Sequence, residues 1–212
     1  KKYLKVLTIL MALMLLIAGC AQSGEAPAGE TPSDGDSPAG EAPAENFDIG
    51  IIQYVDHVAL DASRDGFIDA LADNGYVDGE NITIDLQNAQ ADQSNLSTIS
   101  DRFISNNMDL ILAIATPAAQ AIAGKTTEIP ILGTAITDYE SARLVDTASA
   151  PGGNVTGTTD MNPIKEQIEL LVKLAPEAKT VGVLYTSSED NSILQAAIAR
   201  EAIEAMGLEY VE

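Results

Sequence analysis

Beyond Phe47 the chain alternates between short apolar runs and longer stretches whose apolar residues recur at helical spacing. Asp48 to Gln53 is a compact apolar run, the pattern of a strand covered on both faces. Ala59 to Asn74 sets Leu60, Phe67, Ile68 and Leu71 on one helical stripe, and Gly75 ends it. Asn81 to Leu86 alternates as a second strand. Asp92 to Asn106 carries Leu96, Ile99, Phe103 and Ile104 on one helical face. Leu110 to Ile114 predicts a third, buried strand. Thr116 as N-cap and Pro117 at the first helical position then open a helix that Gly124 closes. Ile129 to Gly133 predicts a fourth strand, followed by a turn over Thr134 to Asp138. The order β-α-β-α-β-α-β argues an α/β fold with a doubly wound parallel sheet.

Pro151 to Asp160 breaks this rhythm with three glycines around a short Val155-Thr156 core. It reads either as a strand crossing to a second lobe or as a surface loop of the first. The α/β pattern then resumes. Pro163 to Leu174 is helical, with Ile164, Ile168, Leu171 and Val172 inward. Val181 to Tyr185 is a strand. Asn191 to Met206 is a helix with Leu194, Ile198 and Ala205 on one face, and Leu208 to Val211 begins another strand. The expected organisation is a first lobe over 47–160 and part of a second lobe over 161–212.

The N-terminal stretch is of another kind. Lys1, Lys2 and Lys5 flank or precede an apolar run from Val6 to Ala18, a charged segment and hydrophobic segment too short for a comfortable membrane span. Leu16-Ile17-Ala18-Gly19-Cys20 resembles the lipobox of bacterial lipoproteins, with cleavage before Cys20 and lipidation of its thiol. The competing reading is an ordinary signal peptide with a chance cysteine. Residues 1–19 are thus expected to be a signal peptide and 20–46 a disordered acidic tether. Ala21 to Glu45 holds no large apolar residue and cannot bury a core.

Charge narrows the partners. Eleven basic residues stand against 32 acidic ones, a net charge of −21. Such a chain is a poor ligand for DNA, RNA or an anionic membrane surface. Cys20 is the single cysteine, so no intrachain disulfide forms. His57 is the single histidine, which argues against metal sites of the His/Cys type. No phosphate-binding loop, dinucleotide fingerprint or nucleophile elbow follows a predicted strand. Neither a cofactor nor catalysis is expected.

Polar side chains cluster at the carboxyl ends of the predicted strands. Gln53 to His57 and Asp61 follow the first strand, Thr116 the third, and Thr137 and Asp138 the fourth. Tyr185 to Ser192 follow the strand of the second lobe. In a two-lobed α/β protein these ends face one cleft. Hydroxyls and helix N-termini suit a carboxylate, and acidic residues suit an ammonium group. Together they fit a zwitterion such as an amino acid, with His57 and Tyr54 or Tyr185 available to stack on a flat side chain. Each residue also has a plain structural role open to it. Thr116, Asp56 and Ser188 are possible N-caps, and Asp61 favours a first helical turn. His57 is a possible solvent-exposed loop residue, and Thr137-Asp138 a simple turn.

Several stretches are jointly specific: His57 to Asp61 with Arg64 to Phe67, Gly75 to Asn81, Leu112 to Gln120, Pro151 to Thr158, and Val181 to Tyr185 with Ser187 to Glu189, Asn191 and Ser192. Through them the chain resembles the substrate-binding lipoproteins of ABC transporters of the tryptophan/tyrosine type. The resemblance implies a type 1 periplasmic-binding-protein fold, a lipid-anchored extracytoplasmic receptor, a monomer, and a membrane permease and its ATPase as partners. It maps the ligand loops onto His57 to Asp61, Ala115, Thr116 and Ala118, Thr137 and Asp138, Asp160, and Ser187, Ser188, Glu189, Asn191 and Ser192. Asp138, Asp160 or Glu189 would take a ligand amine. Val58, Tyr139 and Thr186 stand where the family often has Pro, Pro and Asn. A sensory module coupled to a membrane kinase or chemoreceptor is the alternative use of the same fold.

Overall fold

A computed structural model describes residues 46–212. The expected signal peptide, the lipidation expected at Cys20 and, apart from Asn46, the expected acidic tether lie outside the described residues.

Five parallel strands form the main sheet: β1 (Phe47–Gln53), β2 (Ile82–Asn88), β3 (Leu110–Ile114), β4 (Ile131–Ile136) and β5 (Val155–Thr159). Their spatial order is β2-β1-β3-β4-β5. Helices α1 (Val58–Asp73), α2 (Gln93–Ser105) and α3 (Thr116–Ala123) make the crossovers. The burial pattern shows why these strands are short and apolar. Ile49, Ile51, Leu112 and Ile114 pack on one face with Leu60, Phe67, Ile68 and Leu71 of α1. Ile52, Ile111 and Ala113 pack on the other with Leu96, Ile99 and Phe103 of α2 and Ala118, Ala119 and Ile122 of α3. Both faces of the central strands are therefore covered, as parallel strands require.

The chain then forms α4 (Ile164–Leu174), β6 (Thr180–Gly182), α5 (Asp190–Ala205) and β7 (Glu209–Val211). β6 and β7 pair in parallel as a separate two-stranded sheet. Its core is Ile164, Ile168, Val181, Ala199, Ala202 and Ile203.

Four details depart from the sequence pattern. β5 hydrogen-bonds to β4 and closes the edge of the first sheet, so the Val155 segment is a strand of that sheet rather than a crossing. β4 runs on to Ile136 because Ala135, at φ 54°, forms an irregularity that re-aims the strand before Thr137. β6 stops at Gly182, where pairing with its single neighbour β7 ends. The inward face of α5 is Ala196, Ala199, Ala202 and Ile203; Ala205 is exposed.

Candidate functional site

In a doubly wound sheet of order 2-1-3-4-5, the chain winds to opposite sides after β1, which opens a crevice between the carboxyl ends of β1 and β3. The residues at that crevice come from Gln53 to Asp61 and from Ala115 to Ala118.

Gln53 ends β1 and is 1% exposed. Its amide donates to the Val55 carbonyl at 2.9 Å and to Asp61 Oδ1 at 2.7 Å. Arg64 Nη1 donates to the same Asp61 oxygen at 3.2 Å. One Asp61 oxygen is thus committed to holding the β1–α1 loop in shape. His57, not Asp56, is the N-cap of α1; its Nδ1 accepts from the Ala59 amide at 3.2 Å. Asp56 instead accepts from Asn88 Nδ2 at the end of β2.

The turn after β3 is strained. Ala115 sits at φ 83°, ψ 152°, near a region that glycine alone occupies freely. It is Ala115, not Thr116, that occupies the N-cap position, and no side chain caps α3. Thr116 becomes the first helical residue and Pro117 follows it. The Ala119 amide makes the first intrahelical bond, to the Ala115 carbonyl at 3.1 Å, so the amides of Thr116 and Ala118 precede it. The Ala118 side chain is core, leaving only its backbone for a site. Thr116 is 2% exposed, and its hydroxyl is buried without a hydrogen-bond partner.

Thr137 is buried at the end of β4, where its hydroxyl accepts from Gln195 Nε2 at 3.3 Å. Asp138 caps its own turn, accepting from the Ser141 amide at 2.7 Å. Asp160 is exposed after β5. Burial first and the Asp160 carboxylate second push the Tyr139 phenol up to about 12. The unfolded phenol ionises near its ordinary 10.0, so the unfolded chain sheds this proton first. The stability this contributes is fully present below pH 10.0 and is lost as pH rises towards about 12. Titrating phenolate absorbance should accordingly show a late-ionising tyrosine that is missing from Tyr139→Phe.

From the second sheet, Ser187 and Ser188 are exposed, while Glu189, Asn191 and Ser192 are half-buried. Glu189, not Ser188, takes the N-cap position of α5, with no side-chain cap bond. Asn191 Oδ1 is buried without a partner. Burial, then the nearby Glu189 carboxylate, raises the Tyr54 phenol above its ordinary value. A cavity of about 470 Å³ lies between the two sheets' loops, lined by Tyr54, Gln93, Pro117, Gln120, Ser188 and Glu189. That volume accommodates a small organic ligand, whereas the space of about 180 Å³ beside Tyr139 falls below the usual range.

The cavity brings together Tyr54, Pro117, Gln120, Ser188 and Glu189, while Thr116 is buried behind Pro117 and Thr137 is tied to α5. Gln120, Gln195 and Asp190 also reach between the sheets; Asp190 falls in the polar run Tyr185 to Ser192 and Gln120 in the stretch Leu112 to Gln120, whereas the sequence pattern does not single out Gln195. Gln120 had one further signal, its position one turn after Thr116 on the same helical face. Among the described residues no cluster of His, Cys, Asp and Glu is arranged to hold a metal ion.

Comparison with known proteins identifies the family. Residues 48–212 match the family described as ABC transporter substrate binding protein. A tyrosine-binding protein of Clostridioides difficile (strain R20291) is 41% identical over 211 residues, which are 98% of this chain and 59% of that protein. An ABC domain from Streptococcus pneumoniae in complex with L-Trp is 44% identical, with a TM-score of 0.75 over 78% of this chain and 56% of that one. A ligand-free, open substrate-binding protein with adhesive properties from Clostridium difficile is 49% identical over the same shares, with a TM-score of 0.63. The chain therefore spans little more than half the length of these relatives. With a type 1 periplasmic-binding-protein architecture and a family match over nearly all of the described residues, the chain belongs to the ABC transporter substrate-binding protein family.

Proposed function

We propose that the protein is the extracytoplasmic solute receptor of an ABC importer and binds an aromatic amino acid, tyrosine or tryptophan, between two lobes. The first lobe is 47–160 and the second begins at 161. The receptor is a monomer tethered to the membrane by a lipid on Cys20, and it delivers its ligand to a permease driven by an ATPase.

The observation that carries this reading is a pair of buried polar atoms without partners, Thr116 Oγ1 from the first sheet and Asn191 Oδ1 from the second. Leaving such an atom unpaired costs about 1–3 kcal/mol. A ligand group that hydrogen-bonds to either atom recovers that cost. Thr116 and the amides at the start of α3 suit the ligand carboxylate. Glu189, Asp138 and Asp160 suit its ammonium group. Tyr54 and His57 offer flat surfaces for an aromatic ring. Ser187, Ser188 and Ser192 supply hydroxyls on the facing loop. Ala115 and Ala118 contribute through their backbone. Asp61 shapes the loop through Gln53 and Arg64.

The test is calorimetric titration of the full-length protein with each of the twenty amino acids. Saturable heat with L-tyrosine or L-tryptophan is expected, and its absence with every one of them would overturn the ligand class.

A further inference from the structure

We propose that Gln120, a wall of the cavity, and Asp190 form a latch that sets the receptor's affinity by holding its lobes together, and not through a bond from Gln120 to the ligand. The inference rests on the two-lobed receptor reading above. Gln120 lies on α3 of the first sheet and Asp190 opens α5 beside the second. Gln120 Nε2 donates to Asp190 Oδ2 at 2.8 Å, across 70 residues of chain.

Both partners are held ready for this bond. The same Gln120 nitrogen donates its other hydrogen to the Ala142 carbonyl at 3.1 Å, which fixes the amide from its own side. Asp190 sits in the first turn of α5, where the helix dipole favours a carboxylate. The bond is therefore charge-assisted, and although Asp190 is exposed, the donating amide is fixed from its own side. A second tie, Gln195 to Thr137 at 3.3 Å, lies where β4 faces the same helix. Together they join α5 to α3 and to the loop after β4.

Direct ties of this kind exist whenever the lobes are together, with or without solute. They raise the fraction of ligand-free receptor already closed, and apparent affinity scales with that fraction. The latch consequently tunes affinity for every ligand by one common factor.

Gln120→Glu tests this with almost no change of shape. It places two carboxylates where a 2.8 Å bond stood. Even at the dielectric of water, charges that close repel enough for about a tenfold effect. Ligand-free small-angle scattering should show a larger radius of gyration. Calorimetry should show affinity for L-tyrosine and L-tryptophan falling by the same factor, at most about tenfold. Adding Asp190→Asn supplies an amide that can donate to the carboxylate introduced at position 120, and both readouts should return towards wild type. If Gln120→Glu fails to fold, Gln120→Leu removes the bond without adding charge and should give the same signs at smaller size. Unequal losses for the two ligands with an unchanged radius would make Gln120 a ligand contact and overturn the latch. No change in either readout, or no recovery in the double variant, would overturn it as well. Should no amino acid bind the wild type, the ligand reading fails, yet the scattering comparison still decides the latch.

Discussion

Phe103→Ala is expected to destabilise the folded region by about 3–5 kcal/mol, read as a lowered urea midpoint. The ring is fully buried on the inner face of α2, packed over β1. It fits there because position 50 is glycine. A Cβ on Gly50 would lie 2.7 Å from the ring's Cδ2, so helix and strand approach more closely than any other residue allows. Removing the ring leaves a hole floored by backbone. β1 is hydrogen-bonded to β2 on one side and β3 on the other, so that floor has little freedom to collapse inward. Sites that collapse poorly lie in the upper part of the cost range. Folded domains hold only about 5–15 kcal/mol in total, so this one change removes a large share. A loss under about 1 kcal/mol, the average for any substitution, would show that α2 is not anchored through this ring.

The Phe103 stripe illustrates what is legible in a sequence of this kind. Continuous apolar runs such as Leu110 to Ile114 have few alternatives to a strand covered on both faces, and α2's apolar spacing fixes its inner face. The order of the elements then restricts the sheet to a few windings. The helix starts are less legible, because local chemistry names the wrong residue. Thr116 and Ser188 have side chains that favour a cap, yet Ala115 and Glu189 occupy those positions. The geometry of a strand turning sharply into a helix overrides the preference, and at Ala115 it does so against backbone strain. Strand length in the smaller sheet depends on pairing, which no local pattern contains; β6 is as long as its overlap with β7. Least legible are the ties between the sheets. Gln120 and Asp190 lie in stretches the sequence marks, yet nothing local pairs them until two separately folded layers are set side by side.

Thr116→Val is expected to act with opposite signs on stability and on binding, which separates the two roles open to this residue. Valine keeps the β-branch and volume and replaces the hydroxyl by a methyl group. The hydroxyl is buried and bonds to no other protein group, so no protein hydrogen bond is lost. An orphaned buried hydroxyl costs about 1–3 kcal/mol, and its removal should leave the melting temperature unchanged or raise it. Thr116 is the first helical residue rather than the cap, so no capping loss of about 1 kcal/mol applies. Amino-acid binding should weaken instead. A hydrogen bond to a charged group contributes about 1.5–3 kcal/mol, so the dissociation constant should rise by roughly tenfold to a hundredfold. Thr116→Ser keeps the hydroxyl and should hold affinity near wild type while giving up some packing. A Thr116→Val protein that melts earlier and binds as before would return Thr116 to scaffold and move the carboxylate elsewhere in the crevice.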